Sequence, residues 1–550
     1  MISEFLVLLP PLIVILMATY TKNTRLSLIL GIFSAALIIN DFLIFGTLKT
    51  IFDNMLKAIE FDGLTSFQTI WSCERIFILL FLLMLGIIIS LLEHSGSAYA
   101  YGNYITTKLK SVKNAELSSL ILSFFFFIDD YFSCLTVGSV MQPITDQFKI
   151  PRVKLAFLVS SVAVPLAIIF PLSSWVAYIL GQLGQTGVST CMDTSTVIQC
   201  DPFFLYLKTI PFLFYALIVV FSIWFIVLKR LSFGVVAKHE HIAQTTGTLF
   251  GGKQALTRKT QEPIATRDNC TLKSCTLWDF ILPIMLLIIS TVVEILRSGD
   301  FFIFGGSNGI IQALFQANIP SALFESSVFT IIITTAYFII RKRIQIKDLG
   351  MITREGINLM KSSLLLLILI WTFGKILQND LKIGSFIAQH IGYINISYLP
   401  VILFLISGLV TTLMCSAWGS MGLIIPIGIP MLVSLSNAQT PIMLTDIPMI
   451  YPVLGAIISG AIIGNQLSPV ADVMLMSATS SGCYHMDLVK AQASLTIPSI
   501  FSGALAFLCA GLLIPKLGIA ASLAISISLG TLNNFAILYI LDLLQKRRAS

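Results

Sequence analysis

Two adjacent aspartates, Asp129 and Asp130, lie near the centre of an apolar run that extends over about residues 117–140. A charged side chain at bilayer depth is costly unless it is paired, solvated or neutralised. A carboxylate in such a place can hold either a proton or a metal cation. The alternative is that the pair caps a helix, with its oxygens accepting from free backbone N–H groups. The two roles are compatible, and we expect the pair to function in transport.

Two other apolar runs, at about 155–182 and 447–477, are too long for one straight membrane span. Each contains a proline near its middle, Pro171 in the first and Pro469 in the second. Proline removes a backbone donor and clashes with the preceding turn, so both runs are predicted to be broken helices. Broken helices in matching places indicate a binding site near the midplane of the membrane. The polar side chains of this predicted site are Ser173, Ser174, Asn465, Ser468 and Asp472.

The spacing of three of these residues suggests a further detail. Asp472 lies seven residues after Asn465 and four after Ser468. On one continuous helix these positions share a face, so we expect a polar stripe. Ser416, in the middle of an apolar run at about 397–434, is a further candidate ligand.

The composition defines the class of protein that must position these residues. Of the 550 residues, 56% are hydrophobic and 11% are charged, and the mean hydropathy is +0.92. Soluble domains carry about 25% charged residues, so a soluble, disordered or fibrous protein is excluded. No ATP-binding or metalloprotease motif is present, and the sequence predicts neither a cofactor nor an enzyme. The fold class is therefore an all-α polytopic membrane protein.

The basic residues of the loops assign the sides of the membrane. The 229–277 loop is rich in Lys and Arg and is predicted to be cytoplasmic. Basic residues also flank the 117–140 run on both sides, so this run is predicted to enter and leave from the cytoplasm as a re-entrant hairpin. The 183–202 and 435–446 loops contain no Lys or Arg and are predicted to be external. The run between about 397 and 434 is then a second hairpin that enters from the opposite side.

The layout amounts to about eleven spans plus two hairpins, with the N-terminus outside and the C-terminus in the cytoplasm. Its two halves contain the same order of elements but begin on opposite sides, which is typical of an inverted repeat. The predicted parts are a first transmembrane repeat at 1–228, a cytoplasmic basic loop at 229–277, a second inverted repeat at 278–515, and an extra C-terminal span with a basic tail at 516–550.

A series of short motifs occurs in a specific order between about residues 75 and 495. They are Phe126-Phe127-Ile128-Asp129-Asp130-Tyr131, Pro143-Ile144-Thr145-Asp146, Lys154-Leu155-Ala156, Ser174-Trp175, Ser416-Ala417-Trp418-Gly419, Gly460-Ala461-Ile462-Ile463-Gly464, Ser468-Pro469 and Asp472. In this order they resemble the NhaC-type Na+/H+ antiporter family of the ion-transporter superfamily. The resemblance implies secondary cation transport in which a carboxylate exchanges Na+ for protons. Some relatives exchange small carboxylates or amino acids, so membership does not fix the substrate.

The sequence departs from the family pattern at three positions that bear on charge near the predicted site. The family usually has Arg where Gln142 stands, and tends to have Asp where Ser160 and Asn465 stand. Two carboxylates near the predicted site are therefore neutral here, and neither Ser160 nor Asn465 can couple protons. The aspartate pair and Asp472 remain as candidates. The substitutions also strengthen the alternative that the substrate is an organic solute, although Na+ stays the first hypothesis.

Together these patterns predict a secondary active transporter of the cell (inner) membrane, with Na+/H+ antiport as the first hypothesis. A Na+- or H+-coupled exchanger of a small organic anion or amino acid is the alternative within transport. A membrane-embedded enzyme is the alternative from another class, but no nucleophile or metal set accompanies the aspartates. The expected partners are the transported ions or solute and the lipid bilayer, and not nucleic acid; a homodimer is compatible with the sequence. Whether Cys191 and Cys200 of the 183–202 loop form a disulfide is left open.

Overall fold

The computed structural model is almost entirely helical. It describes residues 6–21, 23–59, 74–97, 111–190, 196–254, 276–310, 312–313, 317–383, 386, 395–436, 441–469 and 471–549. Ten helices in these ranges are long and apolar enough to cross a membrane, and two shorter apolar helices lie near the N-terminus. The fold class predicted from composition, an all-α polytopic membrane protein, is therefore confirmed.

The helices follow the apolar runs of the sequence. In chain order they are α1 Leu9–Thr21, α2 Thr24–Ile39, α3 Ile44–Ala58, α4 Glu74–His94, α5 Val112–Phe125, α6 Asp130–Gln147, α7 Arg152–Ile169, α8 Ser174–Gln185, α9 Pro202–Thr209, α10 Phe214–Lys229, α11 Gly234–Thr246, α12 Leu277–Ser298, α13 Ile319–Ile340, α14 Leu349–Lys375, α15 Leu399–Met414, α16 Ala417–Ser436, α17 Ile450–Ala461, α18 Ile463–Leu467, α19 Asp472–Ser481 and α20 His485–Ala549. Short 3₁₀ segments lie at Leu6–Leu8, Ile210–Phe212, Phe302–Phe304, Ile346–Asp348 and Ile396–Tyr398, and a π-helical segment at Ile376–Asp380.

Three predicted runs differ from the observed helices in an informative way. The run at about 25–46 is divided between α2 and α3, because Asp41 and Phe42 adopt positive φ angles of 47° and 65°. The run at about 203–228 is divided between α9 and α10 around Pro211. The two C-terminal spans form the long helix α20, which is interrupted at Gly518, where φ is 78°. At that position glycine is favoured because it has no Cβ to clash with the backbone.

A small parallel sheet joins the two loops that were predicted to be external. Strand β1, Val188–Ser189, pairs with β2, Ile198–Gln199, and β2 pairs with β3, Ile442–Met443. The two loops therefore lie on the same side of the protein, which agrees with their shared lack of basic residues. We call this side the sheet face. Cys191 lies outside the described residues, while Cys200 is buried.

The segments rich in Lys and Arg meet at the opposite end of the helices, which we call the basic face. It comprises residues 111–113, 149–154, 229–254, 484–487 and the end of α20. Because the chain passes from β2 through α9 and α10 to Lys229, we place the two faces on opposite sides. Four hydrogen bonds join the segments of the basic face. The Lys113 ammonium donates to the carbonyl of Leu228 at 3.0 Å, and the Arg152 amide donates to the carbonyl of Leu249 at 3.2 Å. The Lys253 ammonium donates to the Asp487 carboxylate at 2.7 Å, and the Ser232 amide donates to the Asp542 carboxylate at 2.9 Å.

Helices α5 and α6 form the first hairpin. Its two ends, near Lys113 and Lys149, both lie at the basic face, so the chain enters and leaves on one side, as predicted from the flanking charges. Of the basic residues that support this prediction, Lys108 and Lys110 lie outside the described residues. Asp146, at the end of α6, pairs with Arg152 at 2.9 Å and belongs to this face.

Helices α15 and α16 form the second hairpin, which enters from the other side. Its outgoing arm leads into β3 at the sheet face. The element order of the two halves matches the predicted inverted repeat, because in each half a hairpin precedes a broken helix. The division into repeats remains a prediction.

Candidate functional site

Asp129 lies at the tip of the first hairpin and begins its second arm. The carboxylate caps α6, since one oxygen accepts from the Phe132 amide at 3.0 Å. The other oxygen accepts from the Ser174 hydroxyl at 2.9 Å. Asp129 is only 4% exposed. The capping role considered from the sequence is thus present, and both oxygens of this carboxylate have protein donors.

Asp130 is the first residue of α6 and is equally buried, with 4% exposed. One of its oxygens accepts from the indole nitrogen of Trp175 at 3.0 Å. Among the described residues no second side chain donates to it. The amides of Asp130 and Tyr131 at the start of α6 also interact with the carboxylate, but its one hydrogen bond of good geometry to a side chain is the bond from Trp175, so it can still accept a proton or a cation.

The break in the first broken helix, residues 170–173 between α7 and α8, receives this tip. Pro171 cannot donate to Ala167, the carbonyl four residues earlier, and the Ser173 hydroxyl donates to that carbonyl instead at 2.5 Å. Ser173 also caps α8 by accepting from the Val176 amide at 3.3 Å. Pro171 therefore leaves the Ala167 carbonyl without a helical donor, and Ser173, two residues later, provides the missing hydrogen bond.

Two further contacts fasten the hairpin tip to this break. The Ser174 amide donates to the carbonyl of Ile128 at 3.0 Å. The rings of Phe127 and Phe170 stack with centroids 4.4 Å apart. The predicted residues Asp129, Asp130, Ser173 and Ser174 thus form one cluster, which we call the aspartate site.

The tip of the second hairpin contacts the second broken helix in a comparable way. Cys415 turns the chain with a φ of 57°, and Ser416 accepts from the Gly419 amide at 3.2 Å to begin α16. The Ser468 hydroxyl lies 3.0 Å from the Cys415 sulfur. In both halves a serine of the broken helix therefore contacts a hairpin tip, with a carboxylate in the first half and a thiol in the second.

The predicted polar stripe on the second broken helix is wrong. Helix α18 ends at Leu467 and α19 begins at Asp472, so Asn465, Ser468 and Asp472 do not share one helix. The extended backbone at Ser468 before Pro469 separates them. Asn465 is buried, whereas Asp472 is exposed.

Asp472 reaches the aspartate site by another route. The hydroxyl of Tyr131 donates to its carboxylate at 3.3 Å, and Tyr131 follows Asp130 directly in the chain. Tyr131 is the last residue of the Phe126–Tyr131 motif, but the sequence alone does not show that its hydroxyl contacts Asp472. Glu93, at the end of α4, interacts electrostatically with Asp129 and was likewise not identified from the sequence.

A second buried polar cluster contains no charge. Ser160 and Ser161 of α7 both donate to the side-chain oxygen of Gln492 at 3.1 Å. Gln466 accepts from Tyr215 at 2.6 Å and donates to the Ser161 carbonyl at 3.0 Å. Pro165 leaves that carbonyl without a helical donor, so Gln466 replaces the lost bond. Ser160 is therefore part of a neutral hydrogen-bonded network.

The described residues contain no group of three or more His, Cys, Asp or Glu side chains arranged to hold a metal ion. The donors available to a transported cation at the aspartate site are carboxylate and hydroxyl oxygens. Such hard oxygen ligands suit hard cations.

Comparison with known proteins identifies the family of the chain. The Na+/H+ antiporter family model matches residues 166–512, more than half of the chain. The matched range contains the first break, the second hairpin and the second broken helix, and begins after the first hairpin. An uncharacterized protein of Haemophilus influenzae is 28% identical over 488 residues, which cover 88% of this chain and 86% of that protein.

Two solved transporter structures also align with the chain. The YdaH transporter of Alcanivorax borkumensis gives a TM-score of 0.47 at 12% identity, covering 85% of this chain and 89% of that one. MtrF of Neisseria gonorrhoeae, described as illuminating a class of antimetabolite efflux pumps, gives a TM-score of 0.47 at 16% identity, covering 84% of each chain. On the family match, the chain belongs to the Na+/H+ antiporter family and is a multi-pass secondary active transporter.

Proposed function

We propose that this protein is an antiporter of the NhaC type that exchanges Na+ for H+, with Asp130 as the group that holds them in turn. The observation that carries the proposal is the asymmetry of the aspartate pair. Among the described residues, Asp129 has a hydrogen bond of good geometry on each oxygen and fixes the hairpin tip, whereas Asp130 has one, from Trp175, beside weaker interactions with the amides of Asp130 and Tyr131. A buried carboxylate with remaining acceptor capacity can bind a cation or a proton but not both.

The neighbouring hydroxyl supports cation binding at the same place. Ser174 uses its proton to bond Asp129, which leaves its oxygen lone pairs available as ligands. Na+ would then bind at the Asp130 carboxylate, with the Ser174 oxygen as a candidate second ligand. Protonation of Asp130 removes the full negative charge and releases the ion.

Transport assays in proteoliposomes test this proposal. An outward Na+ gradient is expected to drive proton uptake, and the KM for Na+ is expected to rise as pH falls, because the protonated carboxyl competes with the ion. The maximal rate should change less. Absence of any Na+-dependent proton movement in active, correctly inserted vesicles would contradict Na+/H+ exchange.

We assign the basic face to the cytoplasm of a cell (inner) membrane and the sheet face to the outside, following the distribution of Lys and Arg. Epitope tags at Asn114 and Lys149, at the two ends of the first hairpin, are expected to be protected in intact cells and accessible after permeabilisation. A tag at Thr445, beside β3, is the matched control and should be accessible without permeabilisation. Tags at Asn114 and Lys149 on opposite sides would contradict the re-entrant hairpin.

A second candidate is coupled exchange of a small organic anion or amino acid. The neutral cluster of Ser160, Ser161, Gln466 and Gln492 favours it, because amides and hydroxyls can bond carboxylate or amino groups without a countercharge. Counterflow separates the candidates: an organic solute preloaded inside vesicles would accelerate its own labelled uptake, whereas a Na+/H+ antiporter would respond only to Na+ and pH.

A further inference from the structure

One indole side chain connects the aspartate site with the second hairpin. Trp175 lies in the first turn of α8 and is 1% exposed. Its ring nitrogen donates to Asp130 at 3.0 Å. Its ring meets that of Trp418, at the start of α16, edge to face with centroids 6.0 Å apart. The same side chain therefore contacts the carboxylate on one hairpin and an aromatic ring on the other.

A second contact, one turn along α8, holds the same partner. The rings of Tyr178 and Trp418 lie 4.6 Å apart, and the Tyr178 hydroxyl donates to the backbone carbonyl of Trp418. Trp418 is thus held by its ring and by its main chain. A displacement of the start of α8 must therefore act on the second hairpin.

Close packing around α8 leaves little room to absorb such a displacement elsewhere. A Cβ at Gly181 would lie 2.3 Å from the Trp371 ring, and a Cβ at Gly422 would lie 2.8 Å from the Tyr178 oxygen. Packed interiors of this kind change between discrete arrangements and do not deform continuously. These contacts make α8 a stiff connection between the hairpins.

We propose that Trp175 is a positioning residue that transmits the occupancy of Asp130 to the second hairpin through Trp418. An indole N–H bonds strongly to an ionised carboxylate and less strongly to one that a proton has neutralised or a cation has engaged. Loss of that bond frees the indole to reorient against Trp418. This inference rests on the proposed function only in taking Asp130 as the exchanging group.

Several titratable groups surround Asp130 and would share its pH response. Asp129, Tyr131 and Cys134 interact with it electrostatically. Asp472 interacts electrostatically with Tyr131, and Glu93 with Asp129, so both influence Asp130 indirectly. The Asp130→Asn variant isolates the contribution of Asp130 from theirs.

A native thiol reports the position of the second hairpin. Cys415 lies at its tip, three residues before Trp418, and is half-buried. Its rate of labelling by a small maleimide, followed by mass spectrometry of its own peptide, is measured with and without Na+ at fixed pH, and then over a range of pH. Rates at each pH are divided by those of the same cysteine in the denatured protein, which removes the ordinary pH dependence of a thiol.

We expect Na+ and pH to change the labelling of Cys415 in the parent protein, and we expect both responses to be lost in Asp130→Asn. Trp175→Phe, which keeps a ring but removes the donor, should lose the responses although Asp130 is intact. At a pH where Asp130 is ionised, its KM for Na+ should fall by about tenfold, because Na+ no longer has to weaken a hydrogen bond to a charged group. Trp418→Leu should lose the responses with a nearly unchanged KM.

Trp371→Phe is the matched control. This tryptophan is fully buried against α8, and its ring nitrogen has no hydrogen-bond partner among the described residues, so the change removes similar volume but no bond. It should keep the Cys415 response. A retained response in Trp175→Phe, or no response in the parent protein, would overturn the proposal. A Cys415 response to pH alone, without Na+/H+ exchange in vesicles, would support the coupling and reject Na+ as the substrate.

Discussion

Asp130→Asn is expected to abolish coupled Na+/H+ exchange, while Asp129→Asn should leave slower but still pH-dependent exchange. Asparagine at position 130 preserves volume and can still accept from Trp175, but it cannot titrate or offer a full charge to Na+. Asparagine at position 129 remains an effective helix cap through its amide oxygen, and its NH2 group can donate to the Ser174 hydroxyl. The two substitutions are chemically identical and one residue apart, so their difference isolates the exchanging group.

The measurement is Na+-driven proton movement in proteoliposomes over a range of pH, with folding checked by thermal stability in detergent. Asp129→Ala should lower stability by about 0.5–2 kcal/mol, because alanine cannot cap α6. Asp146→Asn is the control: its carboxylate pairs with Arg152 at the basic face, and exchange should be nearly normal. Near-normal, pH-sensitive exchange by Asp130→Asn would reject its role, and the same result from Asp129→Asn as well would make Asp472 the leading candidate.

The elements that position the site could be predicted because each leaves a strong local signal. Asp129 and Asp130 lie in an apolar run, so the fold must place them where a charge is tolerated. Basic residues on both sides of the 117–140 run indicate that it enters and leaves the membrane on the same side, as a hairpin. Prolines near the middle of long apolar runs require breaks. These constraints act over a few residues, so Asp129, Asp130, Ser173 and Ser174 could be assigned to one site before their contacts were known.

The contacts between segments that are distant in the chain leave no such signal. Trp175 and Asp130 are 45 residues apart, and Tyr131 and Asp472 are 341 apart, so only the packing of the helices brings them together. The predicted stripe failed because it assumed helical geometry across Pro469, whose ring disfavours helix at the preceding residue. Gln466 was missed because its role depends on the carbonyl that Pro165 frees in a different helix.

The two aspartates also look equivalent in sequence but differ in structure. Asp129 precedes the first helical residue, where a side-chain oxygen meets the free amides of the helix start. Asp130 lies one position later and points its carboxylate toward Trp175 instead. Which member of the pair is bonded on both oxygens depends on where the hairpin turns, and an error of one residue in that boundary would reverse the assignment.

The base of the first hairpin contains a buried ion pair that links it to the rest of the protein. Lys154, at the start of α7, is 1% exposed and lies 2.8 Å from Glu116 of α5, which is fully buried. Lys154 also pairs with Glu240 of α11, whose carboxylate accepts from Ser232 as well. A single cation is therefore shared by a carboxylate on the hairpin and one on a helix of the basic face.

Lys154→Met is expected to destabilise the folded protein by roughly 3–5 kcal/mol, because it leaves the Glu116 carboxylate buried without a partner. Thermal unfolding in detergent, with the yield of monodisperse protein, measures the effect. Combining it with Glu116→Leu should recover most of the stability, since replacing both partners with apolar side chains removes the unpaired charge. Glu240→Gln is the milder control, because Lys154 keeps Glu116 as a partner and the Glu240 side chain is 14% exposed. If Lys154→Met unfolds at the same temperature as the parent protein, or if the double variant is less stable than Lys154→Met alone, the ion pair does not hold the hairpin base in place.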